Sequence, residues 1–89
     1  MNAKRRKALA AVIKKLETLD NLREEIREEL QEVMDEEQDA LDNMPDSLKE
    51  TERGQLMQEN IDNMQDVIGE LDLIDVEDIT DLLQQIIDG

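Results

Sequence analysis

Asp42-Asn43-Met44-Pro45-Asp46-Ser47-Leu48-Lys49-Glu50-Thr51 contains the single proline of the chain, inside a cluster of turn-forming residues. Proline has no backbone N–H and a fixed φ, so it ends one helix and can begin the next. Helix formers such as Glu, Leu, Gln, Lys and Arg dominate on both sides, and three glycines are too few to punctuate a β-protein. The chain therefore reads as all-α and reverses at this point. Two starts compete for the helix that follows: Ser47 with Glu50 as a capping box, or Thr51 as N-cap after a single turn made by 45–49. Thr51 is the preferred start.

Upstream of the turn, apolar residues recur by threes and fours through Leu9, Val12, Ile13, Leu16, Leu19, Leu22, Ile26, Leu30, Val33, Met34 and Leu41. This predicts a first helix over about 3–42, with Asp20-Asn21 as its one candidate break. Such a rod would be on the order of 60 Å long and needs a partner for its apolar stripe. Downstream, Leu56/Met57, Ile61, Met64, Val67/Ile68 and Leu71 give a matching heptad-like seam, a second helix over about 51–71. The register slips at Asp72–Asp75. Ile74, Asp75, Asp78 and Ile79 then have the layout of a capped start with a hydrophobic staple, predicting a short third helix over about 76–88. The expected fold is a long antiparallel, coiled-coil-like helical hairpin with a short third helix, forming one domain at this length.

The end remote from the turn is too apolar for two helices. Leu73, Val76, Ile79, Leu83, Ile86 and Ile87 in the last segment, opposite Leu9 to Leu19, belong to apolar sets that cover more than one face each. A second copy in a two-fold dimer would bury them, and these six are the expected self-association residues. The competing arrangement folds helix 3 back over helix 1 within one chain.

Net charge is −15, unevenly placed: residues 1–15 hold six Lys/Arg and no acid. Antiparallel pairing would set Lys4 to Lys15 beside Asp72, Asp75, Glu77, Asp78, Asp81 and Asp88, each exposed pair contributing ~0.2–1 kcal/mol. Acids crowd the middle of the sequence, and Glu24, Glu25, Glu28, Glu29, Glu32, Asp35, Glu36, Asp39, Glu59, Asp62 and Asp66 are the expected partner-binding face. Counting all acids between Glu24 and Glu70 except Asp46, the hairpin would carry a charge about every 2 Å, near the one per 1.7 Å of duplex DNA. Such a surface repels nucleic acid and anionic lipid and attracts basic protein surfaces, including a nucleic-acid-binding channel. The bland alternative is a solvated face that keeps a small protein soluble.

With no His, Cys, Tyr, Phe or Trp, the chain lacks the usual zinc, haem and iron–sulfur ligands and the commonest catalytic bases and nucleophiles. An EF-hand count from Asp42 puts Met44, Leu48 and Arg53 at ligand positions, so no calcium loop fits. Neither a cofactor, a metal nor an enzymatic activity is expected. The longest apolar run, Ala8 to Ile13, is far short of the roughly 20 residues of a membrane span. The basic start resembles a signal-peptide n-region, but Lys14-Lys15 interrupts the apolar segment, and it reads as part of the mature fold. The absence of cysteine points toward the cytosol.

Lys4-Arg5-Arg6-Lys7 before an apolar helix, the segment Asp35-Glu36-Glu37-Gln38-Asp39-Ala40-Leu41-Asp42-Asn43-Met44-Pro45-Asp46-Ser47-Leu48, and Thr51-Glu52-Arg53-Gly54 resemble short acidic helical-hairpin hypothetical proteins of phages and mobile elements of Gram-positive bacteria. The resemblance spans most of the chain and draws its specificity from the turn, since Glu/Leu-rich helices match almost any coiled coil. It implies a phage or prophage setting and a bacterial host cytoplasm, and brings no established activity or site residues. Roles found for such groups are commonly counter-defence, by inhibitors that occupy the nucleic-acid channel of a CRISPR or restriction enzyme. The expected function is accordingly non-enzymatic binding and inhibition of a basic, nucleic-acid-handling host protein, in DNA-mimic, anti-CRISPR or anti-restriction style. The alternatives are a structural coiled-coil dimerisation or assembly module, or a chaperone for a basic phage protein.

Overall fold

The computed structural model describes all residues from Met1 to Gly89. Four helices follow one another: α1 (Ala3–Asp42), α2 (Asp46–Lys49), α3 (Glu52–Asp72) and α4 (Val76–Asp88). The fold is all-α. Asn2 opens α1, its Oδ1 accepting the Arg5 N–H at 2.9 Å. No break occurs at Asp20-Asn21, where α1 stays helical. With no proline or glycine in α1, an Asp-Asn pair alone leaves the i→i−4 ladder intact.

Pro45 precedes α2 with φ −56 and ψ 143, and its carbonyl accepts the Leu48 and Lys49 N–H groups at 2.9 and 3.1 Å. This makes the single turn expected between the long helices. Thr51 is the N-cap of α3, yet its hydroxyl donates backward to the Leu48 carbonyl and does not cap α3. The Ser47–Glu50 capping box does not form. α3 stops at Asp72, and Asp75 caps α4 by accepting the Asp78 N–H at 2.9 Å, as its spacing predicts.

The chain packs as two compact units, a turn unit of Ile26–Leu73 and a terminal unit of Met1–Glu25 with Ile74–Gly89. In the turn unit, the last part of α1 runs antiparallel to α3. Met34, Leu41, Ile61 and Ile68 form its core, with Leu30, Met44, Met57 and Met64 packed against them. On α3, Gly54, Met57, Ile61, Met64, Ile68 and Leu71 alternate by threes and fours, the heptad period of a coiled coil. The hairpin is closed at one end by Gly54 and at the other by Arg27, whose Nε donates to Asp72 Oδ1 at 2.8 Å. A Cβ on Gly54 would lie 2.2 Å from the Lys49 carbonyl oxygen, so glycine permits the approach of α2 to α3.

In the terminal unit, α4 pairs with the first part of α1. Leu9, Ile13 and Leu16 are half-buried on α1, as are Thr80, Leu83 and Ile87 on α4, and only Val76, 3% exposed, is fully buried. The next two seam positions on α1 are Asp20 and Arg23, half-buried and joined by a 2.9 Å salt bridge. This bond to Asp20 raises the Arg23 pKa further above its ordinary value.

The α1 seam differs from the expected one. Residues turned inward are Leu9, Ile13, Leu16, Asp20, Arg23, Arg27, Leu30, Met34, Glu37 and Leu41, whereas Val12, Leu19, Leu22, Ile26 and Val33 are exposed. Both sets repeat at the heptad period. Apolarity alone merged them, and the strict 4-3-4-3 spacing that selects the inner set runs through four charged residues, Asp20, Arg23, Arg27 and the half-buried Glu37.

Candidate protein-binding surfaces

Sixteen acids and three bases, Arg27, Lys49 and Arg53, fall in the turn unit, giving it a net charge of −13. Nine acids and seven bases fall in the terminal unit, a net −2. All carboxylates of the turn unit are exposed except Glu37, which is half-buried. Arg27 and Lys49 meet Asp72 and Asp46, the latter at 3.7 Å. Three cations cannot neutralise sixteen carboxylates whichever way they turn.

Helix geometry fixes where these carboxylates stand. With the buried seam as the inward direction, a rotation of about 100° per residue places Glu28, Glu29, Glu32, Asp35, Glu36, Asp39 and Asp42 on the side of α1 facing away from α3. The same count places Glu52, Glu59, Asp62, Asp66 and Glu70 on the side of α3 facing away from α1. The expected single acidic face is thus two acidic edges on opposite sides of a helical ribbon. Glu24 and Glu25 belong to the terminal unit.

Three of these carboxylates are held in place by glutamines one turn earlier. Gln31, Gln38 and Gln58 donate through Nε2 to Asp35, Asp42 and Asp62 at 2.9, 2.9 and 3.0 Å. An i,i+4 Gln–Asp bond adds only about 0.2–0.5 kcal/mol to helix stability, but it fixes the direction of a charge at the surface.

The terminal unit exposes apolar surface instead. Val12, Leu19 and Leu22 on α1, and Ile79, Leu82 and Ile86 on α4, are 43–56% exposed. Of the expected self-association residues, Ile79 and Ile86 are exposed, Leu83 and Ile87 are half-buried in the seam, and Val76 is inside the unit. Leu73 is the most exposed large apolar side chain, at 76%, and ends the turn unit. Sequence reading put Val12, Leu19 and Leu22 in the seam, the first two within a face too wide for it, and left Leu82 out of the self-association set; all four are exposed. The basic stretch also differs from expectation. None of Lys4, Arg5, Arg6, Lys7, Lys14 and Lys15 makes a salt bridge to an α4 carboxylate. Their long side chains gain too little from an exposed pair to offset the rotamer entropy lost.

A shallow depression near the turn is lined by Gln38, Leu41, Asp42, Lys49, Gly54, Gln55 and Gln58 and is open to solvent. No group of three or more carboxylates is placed to hold a metal ion, and no helix is long and apolar enough to cross a membrane. The chain matches no protein-family model, and no curated protein or solved structure matches it significantly.

Proposed function

We propose that the chain is a non-enzymatic acidic protein of phage type, acting in a bacterial cytoplasm, that binds and inhibits a basic, nucleic-acid-handling host protein through the carboxylate edges of the turn unit. The observation that carries this reading is the concentration of charge: −13 of the −15 lies on one hairpin of Ile26–Leu73. Spread over the 21 residues of α3, at ~1.5 Å each, that is one net charge per ~2.4 Å, against one per ~1.7 Å of duplex axis. A duplex likewise presents its anions on opposite sides. A basic channel built for a duplex presents cations to both.

A purely solubilising role accounts less well for the placement. Like charges one turn apart, as in Glu28/Glu32, Glu32/Glu36, Asp35/Asp39 and Asp62/Asp66, each cost a few tenths of a kcal/mol. Asp39 and Asp42 crowd the C-terminus of α1, where the helix dipole favours cations and none is present. The hairpin accepts these costs on the surface that the glutamines order. The exposed apolar stripe favours the second reading, a structural dimerisation or assembly module.

Replacing Glu28, Glu32 and Asp35 by Gln, Gln and Asn separates the two. Pull-down from a bacterial lysate, with mass-spectrometric identification at low and high salt, should recover nucleic-acid-binding proteins that salt, added duplex or the triple replacement release. Capture unchanged by all three treatments would overturn the inhibitor reading and leave the structural one.

A further inference from the structure

The terminal unit has one buried apolar side chain against seven exposed large aliphatic ones, six of them on α1 and α4, whereas the turn unit buries four against six exposed. The placement of the six on α1 and α4 follows from helix geometry. On α1, Val12, Leu19 and Leu22 lie about 100° to one side of the seam, and on α4, Ile79, Leu82 and Ile86 lie a similar angle from theirs. Because the paired segments run antiparallel, both rotations lead to the same face. The six side chains therefore form one continuous apolar patch spanning the two helices.

We infer that this patch is covered by a second copy of the chain, in a two-fold dimer where α1 of each copy packs on α4 of its partner. Three observations select this occupant and this arrangement. Roughly half the surface of six aliphatic side chains is on the order of 500 Å² per copy, so a pair buries about 1,000 Å² or more, where specific interfaces begin. Two copies also supply four helical segments around one core, which two segments with a single buried valine do not make. Charge settles which helices meet. The first 15 residues are purely basic and α4 carries Glu77, Asp78, Asp81 and Asp88 with no cation, so α1 on α4 attracts while α4 on α4 repels. The six basic side chains, not engaged by α4 within the chain, are available to the partner's α4.

Sedimentation equilibrium of the full chain should give twice the 10.3 kDa monomer mass, and Leu19→Lys with Leu82→Lys should return it to the monomer mass. A wild type at 10.3 kDa at hundreds of micromolar, or a double variant that still dimerises, overturns the inference. The chain has no cysteine, so single cysteines test the geometry independently of whether the double variant folds. A mixture of Val12→Cys and Ile86→Cys copies should cross-link on oxidation many-fold faster than either alone. Val12→Cys copies that cross-link to each other as fast as the mixture overturn the α1-on-α4 arrangement.

Discussion

The turn unit and the terminal unit draw on the same helix α1 and the same aliphatic alphabet, yet one buries a core and the other barely does. In the turn unit, Met34, Leu41, Ile61 and Ile68 meet across the seam, and most of the charge stands on the outer edges, with Arg27 and Glu37 half-buried at seam positions. In the terminal unit, Asp20 and Arg23 take two seam positions, and Leu19 and Leu22 beside them are turned to the surface. Net charge follows the same division, −13 against −2. The difference teaches that core and charge go together here: a hairpin with a core of its own can carry dense like charge, while a weakly cored, nearly neutral unit would meet little repulsion on associating.

The largest expected effect tests which unit holds itself together. Ile68 is 2% exposed, and Ile68→Ala should cost about 2–5 kcal/mol through lost transfer energy and the cavity left behind. Val76→Ala removes two methyl equivalents, about 2 kcal/mol with ~0.8 per methylene and a small cavity term. Urea titrations followed by circular dichroism should show the Ile68→Ala midpoint falling further. The Val76→Ala midpoint should also depend on protein concentration if a second copy completes that core. Equal, concentration-independent shifts would erase the contrast between the units.

A smaller effect differs in sign within the turn unit itself. Gly54→Ala drives a methyl group to 2.2 Å from the Lys49 carbonyl oxygen and 2.7 Å from the Lys49 carbonyl carbon, backbone atoms that cannot step aside singly. The expected loss is about 1–3 kcal/mol of overpacking, outweighing the ~1 kcal/mol that alanine gains over glycine in a helix. Gly69 has no atom within 4 Å of its virtual Cβ. Gly69→Ala therefore keeps the propensity gain and should raise the melting temperature, while Gly54→Ala lowers it. Two shifts of the same sign would mean that α2 does not press on α3 as described.

These contrasts also mark what the sequence could and could not say. Pro45 and its neighbours located the reversal because proline chemistry acts locally, and Asp75 located the α4 cap for the same reason. The pairing of Met34 and Leu41 with Ile61 and Ile68 was legible from matched heptads on either side of the turn. The inner face of α1 was not. A helix with two overlapping apolar stripes offers two seams, and the partner chooses by tolerating Asp20, Arg23, Arg27 and Glu37 inward so that Met34 and Leu41 can meet α3. The acidic edges were legible as residues but not as edges, since their direction depends on which stripe is inward.

The smallest effect concerns the two helix starts, one in each unit. Asp75 satisfies the Asp78 N–H, and Glu77 and Asp78 add negative charge to the first turn, where the dipole favours it. Asp75→Ala should thus cost about 1 kcal/mol, and Asp75→Ser should restore most of it by rebuilding the cap. The Thr51 side chain satisfies no N–H of α3, so Thr51→Ala loses only an exposed bond to the Leu48 carbonyl, about 0.5 kcal/mol at the low end of a net hydrogen bond. α4 is 13 residues long, a length at which an isolated helix is marginal even for good helix formers. Loss of its cap should therefore show as reduced helicity that higher protein concentration recovers, whereas Thr51→Ala should leave helicity unchanged at every concentration. Equal losses at both positions would mean that the stability of α4 does not rest on its own start, and that the terminal unit is less dependent on its cap than its thin core requires.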